Sequence, residues 1–236
     1  MITYIYRYIF VALATAWYGS RIVIGSWRGH SSAELYSLGL AWARSLLKHC
    51  RVGTEVYGRE KLEAGKPYLI LSNHRSHFDP PTLIAVIEEQ VHFVAKKELS
   101  RVPIFGPTLS ALDMVYINRS DGSEARRSIE TAAELIKGGR RVLMFPEGTR
   151  ARKAGLVQPF KKGAFHLALE ARVPLLPVVV LDSEKILPKY SLAINSGNIR
   201  VFFCDPINVC EGDTVNSLIE KVQNAMNAVI VRETRN

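Results

Sequence analysis

"YLILSNHRSHFDPP", Tyr68 to Pro81, opens on four apolar residues and closes on two prolines. The run Tyr68–Leu71 is short and is followed by polar turn-formers, so it reads as a buried strand. After it, a histidine (His74) stands five residues before an aspartate (Asp79). Ideal helical geometry would rotate two such residues by about 500° and point them well apart. Pro80 and Pro81 bias Asp79 and Pro80 away from helical dihedrals. The segment is therefore expected to turn, which can bring the carboxylate to one ring nitrogen and leave the other as a base. Two plainer readings stand beside it. Asp79 could cap a helix starting near Pro81, a favoured arrangement. His74 and His77 could bind a metal, but their spacing lacks the i,i+4 pattern of helical zinc pairs and no further ligand cluster is evident, so no metal is expected.

Working outward, further short strands are predicted at 52–56, 92–95, 115–117, 142–145, 176–181 and 200–203. Helical patterns lie between several of them, at 82–89, 123–137, 163–170 and 214–231. Strands alternating with helices predict an α/β fold: a mixed, largely parallel sheet flanked by helices. The mixture follows from the last strands, which come close together after Leu175. Ligands of open α/β sheets sit beyond the carboxyl ends of strands. His74 follows one such end, and Pro146-Glu147-Gly148-Thr149-Arg150 follows another. Arg119 and Lys96 stand at two more. An arginine fork matches phosphate oxygens, and the Thr149 hydroxyl and the amides freed at Gly148 can add donors. Glu147 cannot bind an anion; it could orient an arginine, accept from a substrate hydroxyl, or be structural. The basic runs Arg150–Lys153 and Lys161-Lys162 read as solvated loops that raise the local potential.

The first fifty residues differ in kind. Tyr8 to Ile24 is nearly all apolar, but Arg21 interrupts it, leaving less than the ~20 residues of a spanning helix. Only Arg7 precedes the run and no clean cleavage site follows, which disfavours a signal peptide. Ser31 to Lys48 opens with a possible capping box, Ser31 to Glu34. Its broad apolar face leaves a narrow polar stripe at Ser37, Arg44 and Lys48, as in helices that lie in a membrane interface. The plainer reading is that both helices cap the core of a soluble domain. The expected division is a membrane-associated helical pair over 1–50 and an α/β domain over 51–236. Lysine and arginine number 31 against 22 acidic residues, a net +9. That excess suits an anionic membrane or phosphorylated substrates; nucleic acid is disfavoured, since no zinc spacing, RNA-binding aromatic signature or long basic helix appears. Three scattered cysteines argue against a disulfide framework and fit a reducing compartment.

These residues resemble a known family. "NHRSHFD" (Asn73–Asp79) is similar to the N-H-x-x-x-x-D block of the glycerolipid acyltransferases, particularly the 1-acylglycerol-3-phosphate acyltransferases. "DMVYINR" (Asp113–Arg119) resembles their second block, "FPEGTR" (Phe145–Arg150) is identical to the common form of the third, and "VPLLPV" (Val173–Val178) resembles the fourth. Asp113 stands where the second block usually has glycine, which places a carboxylate near the expected phosphate site, and Tyr116 stands where it has phenylalanine. The resemblance implies transfer of a fatty acyl group from acyl-CoA or an acyl carrier protein thioester to the sn-2 hydroxyl of lysophosphatidic acid. The product is phosphatidic acid, a precursor in phospholipid biosynthesis. His74 would be the base and Asp79 its partner; Arg119 and Arg150, with Thr149 and Gly148, would hold the phosphate; Asn73, Glu147 and Lys96 would position substrate. It implies no cofactor beyond the thioester, membrane lipids as surroundings, and a place on the cytoplasmic face of the inner or an equivalent membrane. Rival readings are another acceptor, a thioesterase, or a non-catalytic lipid-binding protein. Ser72 and Ser76 are the hydroxyls nearest His74 in sequence, but the acceptor's hydroxyl is itself a nucleophile that His74 can activate, and the resemblance implies direct transfer rather than an acyl-serine route.

Overall fold

The computed structural model describes residues 2–118, 121–151 and 155–235. Seven strands form one sheet: β1 (Val52–Tyr57), β2 (Leu69–Ser72), β3 (Val91–Lys96), β4 (Val115–Ile117), β5 (Arg141–Met144), β6 (Leu175–Leu181) and β7 (Gly197–Phe203). Their spatial order is β1-β7-β6-β2-β5-β3-β4. All neighbouring pairs are parallel except β6 and β7. The expected mixed, largely parallel sheet is therefore present, and β2 and β5 lie side by side near its middle.

Both faces are covered, which is why the central strands are apolar but for Ser72 and Arg141 at their ends. Along β6, Leu176, Val178 and Val180 point to one core, while Leu175, Val179 and Leu181 point to the other. The second core is closed by α5 (Gly122–Lys137), α6 (Gly163–Ala171) and α8 (Val215–Thr234). The first is closed by α3 (Asp79–Ile87) and by the amino-terminal helices α1 (Ile2–Trp27) and α2 (Ser32–Cys50). Two shorter helices complete the fold, α4 (Phe105–Ala111) and α7 (Ser183–Ile186).

The helical pair is built into the domain. Ser31 caps α2 with the reciprocal Glu34 contact of a capping box. Leu35, Tyr36, Ala43 and Leu47 of α2 share the first core with Ile70, Leu83 and Val178, so packing is continuous across the boundary near residue 51. The stripe Ser37, Arg44 and Lys48 faces solvent. Arg21 was expected to leave the apolar run of α1 too short to span; the helix runs 26 residues, and Ile5–Trp27, with Arg21 inside it, is long and apolar enough to cross a membrane. One side of α1 packs inward through Ala14 and Ile22, and Gly19 lets α4 come close, since a β-carbon there would stand 2.7 Å from the Thr108 hydroxyl. The other side exposes Ile5, Tyr6, Ile9, Leu13 and Trp17.

Helix α3 corrects one expectation. It starts at Asp79, with a proline inside its first turn, rather than near Thr82. Amides in a first turn have no helical partner, so the prolines cost no hydrogen bond there. The turn that carries His74 is correspondingly tighter, ending at Phe78.

Candidate active site

Strand β2 releases the chain at Ser72, and the next six residues curl back so that Asp79 lies beneath the loop. One carboxylate oxygen, Asp79 Oδ2, accepts from three donors: the backbone amides of Arg75 at 2.7 Å and Ser76 at 2.8 Å, and His74 Nδ1 at 2.7 Å. Asp79 is wholly buried; these charge-assisted bonds satisfy Oδ2, while Oδ1 has no hydrogen-bond partner among the described residues. A carboxylate only accepts here, so the proton sits on Nδ1 and Nε2 carries the free lone pair. The alternative role for Asp79, capping α3, is not the one it plays: the N-cap is Phe78, with no side-chain cap bond. The His74 ring is stacked on Phe145, with centroids 4.2 Å apart and planes at 19°. Buried below and flanked by an aromatic face, the imidazole is fixed with 17% of its side chain exposed.

The segment after β5 meets this loop. Glu147 is buried, and its Oε1 accepts from the His74 amide at 3.3 Å. Burial pushes its carboxyl up to about 7, against the pull of that amide and of Arg75. Gly148 turns the chain with φ of 73°, in the left-handed region. Ala151 then donates its amide to the His74 carbonyl at 2.7 Å, which ties the two segments together a second time. Thr149 is exposed and Arg150 half-buried on the same carboxyl edge.

The remaining expected site residues divide. Asn73 is buried, and its amide bridges the backbone of Val180 in both directions, at 2.8 and 2.7 Å. It therefore locks the loop to β6 rather than facing substrate. Lys96 is exposed at the end of β3. Arg119 lies outside the described residues, as do Arg152 and Lys153 of the basic run. Asp113 is corrected: it precedes β4, so the strand, roughly 10 Å long, separates it from the carboxyl edge. Its φ is 54°, a conformation that glycine and, less readily, aspartate adopt, which explains how it can stand where the resembling block has glycine. The Tyr116 hydroxyl donates to the Gly106 carbonyl at 2.7 Å and so braces α4. Among the described residues no group of three or more metal-ligating side chains gathers, and His77 is exposed.

With this geometry in view, comparison with known proteins is decisive. The sequence model of the Acyltransferase family matches residues 53–181. The chain belongs to the acyltransferase family. It is 36% identical over 177 residues to the 1-acyl-sn-glycerol-3-phosphate acyltransferase of Saccharomyces cerevisiae, covering 73% of this chain and 58% of that protein. A chloroplastic enzyme of the same description from Brassica napus is 34% identical over 179 residues, with 75% and 52% covered. The human alpha form is 31% identical over 191 residues, with 78% and 67% covered. The chain thus spans little more than half the length of the first two relatives. In fold it is similar to the crystal structure of the 1-acyl-sn-glycerophosphate (LPA) acyltransferase PlsC from Thermotoga maritima. That likeness has a TM-score of 0.85 at 21% identity and covers 100% of this chain and 96% of the other.

Four residues of this site have contacts that the sequence does not show. Phe145, expected as the last residue of a strand, lies just past β5 and is the surface on which His74 rests. Arg75 is buried, pairs with Glu184 at 3.2 Å and reaches the Gly155 carbonyl. Ser76 is fully buried and donates its hydroxyl to the Leu187 carbonyl at 2.9 Å. Ser72, also buried, donates to the Asn73 carbonyl at 3.1 Å. Only the unusual placement of arginine and serine between an apolar strand and a proline pair hinted at buried partners.

Proposed function

We propose that this acyltransferase moves a fatty acyl group from an acyl thioester, acyl-CoA or acyl carrier protein, to the sn-2 hydroxyl of lysophosphatidic acid. The observation that carries the reading is the 2.7 Å contact between His74 Nδ1 and Asp79 Oδ2, which leaves Nε2 as a base on the carboxyl edge of the sheet. Nε2 takes the hydroxyl proton as the oxygen attacks the thioester carbonyl. The tetrahedral intermediate collapses, the carbon–sulfur bond breaks, and the departing sulfur takes the proton back from the imidazolium. Asp79 holds the tautomer and stabilises the ring's transient charge. Attack by the acceptor oxygen needs no enzyme nucleophile, and the buried hydroxyls of Ser72 and Ser76, each donating to a carbonyl, are poorly placed to supply one.

Arg150 is assigned to the acceptor's phosphate: its guanidinium makes no hydrogen bond or ion pair with any described residue and stands one peptide from the segment bonded to His74. Arg119, which follows β4 in the chain, is proposed to share that task. The apolar ridge of α1 and the net charge of +9 support association with an anionic membrane, where both lipid substrates reside. Three unpaired cysteines suit its cytoplasmic face.

The test is initial-rate measurement on His74→Ala, with lysophosphatidic acid and one acyl thioester. A positioned general base contributes about 10² to 10⁴-fold, so turnover should fall at least about a hundredfold while the fold is retained. Near-native turnover in that variant would refute the mechanism.

A further inference from the structure

Lys189 lies eleven residues beyond the last of the four sequence blocks, in the turn after α7, and what its ammonium touches gives it a task. Nζ donates to the main-chain carbonyl of Arg150 at 2.6 Å. It forms no ion pair with any described carboxylate, and its other close neighbour is the Tyr190 ring, 5.5 Å from Nζ to centroid. A half-buried lysine holding a neutral carbonyl is an uncommon choice. Its long stem loses side-chain entropy when fixed, and a compact ammonium prefers either water or an anion.

The residue it holds explains the choice. On one side of that peptide, Ala151 is bonded to the His74 carbonyl; on the other, the carbonyl is bonded to Lys189. The main chain at Arg150 is therefore clamped between the histidine loop and the segment after α7, and the starting point of the guanidinium is fixed with it. The segment that carries Lys189 is itself braced at its far end. Asn195 donates its amide to the Ile186 carbonyl at 2.8 Å, and the buried Arg7 of α1 donates to the Ile194 carbonyl at 2.8 Å. Between these ties the loop serves as a strut from α1 to Arg150.

We propose that Lys189 is a positioning residue for the phosphate of the acceptor, acting through the main chain of Arg150. The inference rests on the reading above that Arg150 takes that phosphate. It makes Lys189 a determinant of acceptor binding outside the sequence blocks, and it predicts an effect on KM rather than on the chemical step.

Initial rates of the full chain would be compared for Lys189→Met, Lys189→Arg and Arg150→Ala, on lysophosphatidic acid and on the 1-acylglycerol that lacks phosphate. Methionine keeps the packing of the stem and removes the donor; arginine keeps a donor. Lys189→Met should raise the KM for lysophosphatidic acid about three- to tenfold with kcat within about twofold. Lys189→Arg should recover most of that loss, and the phosphate-free acceptor should be indifferent. An unchanged KM in Lys189→Met, with a raised KM in Arg150→Ala, would overturn the role of Lys189 and leave the phosphate assignment standing. A fall in kcat on both acceptors alike would show a general structural role and also overturn it. If Arg150→Ala weakens both acceptors equally, the phosphate assignment fails and the inference falls with it.

Discussion

Glu147 is a carboxyl that the fold holds partly protonated. Its ordinary value is 4.5, and burial raises it to about 7 in the folded chain. Between those values the unfolded chain has released a proton that the folded chain keeps, so stability falls as pH rises through that window and levels off above it. The penalty is at most about 3 kcal/mol at neutral pH. Glu147→Gln keeps an oxygen for the His74 amide and removes the titration, so its urea midpoint should gain on the wild type between pH 4.5 and 7. Midpoints that run parallel across this range would mean that burial does not control this carboxyl. Asp79 is a second buried carboxyl of the site, with three N–H donors on Oδ2. Asp79→Asn puts an amide where only an acceptor fits, and it can hold the imidazole in the wrong tautomer. Turnover should drop by roughly 10² to 10⁴-fold, the scale of losing a positioned base, measured beside a circular-dichroism check of folding. A drop smaller than tenfold would remove Asp79 from the mechanism.

Helix α1 has two kinds of surface, and the difference permits a clean experiment. Deleting the amino terminus would strip Leu35, Tyr36 and Leu47 of α2 from the first core, confusing membrane binding with unfolding. The exposed ridge avoids this problem. Ile9, Leu13 and Trp17 are half to two-thirds exposed, so replacing all three with serine should change stability little. Each apolar side chain buried in lipid is worth about 1.5–3 kcal/mol, so vesicle affinity should fall at least about a hundredfold. Unchanged binding to anionic vesicles would place the lipid contact elsewhere. The same scale shows what the sequence made legible. Strands β1 to β7 were readable as short apolar runs or alternations, and helices α3, α5, α6 and α8 as the longer patterns between them. Helix α4 was not, since Gly106 and Pro107 occupy its first turn and mask a seven-residue helix. Glu147 and Asn73 were visible as motif residues, but their bonds to His74 and Val180 join segments 73 and 107 residues apart, which spacing alone cannot reveal. The placement of Asp113 was legible, since the strand expected at 115–117 already puts it two residues before β4; the motif alone, which groups it with Arg119, hides this.

At the scale of the molecule, one edge of the sheet gathers the chemistry. The carboxyl ends of β2 and β5 bring His74, Asp79, Glu147 and Arg150 together, and Asn73 fastens the loop to β6. The two amino-terminal helices close the first core, and α1 also presents an exposed apolar ridge. The account's central claim is that this site joins an acyl chain to the hydroxyl of lysophosphatidic acid. Mass spectrometry of the products formed by the full chain on anionic vesicles, from lysophosphatidic acid and an acyl thioester, tests it most directly. The account predicts phosphatidic acid carrying the donor's acyl chain at sn-2, in amounts matching the thiol released. Release of free fatty acid in its place, or of thiol without any new ester, would contradict it.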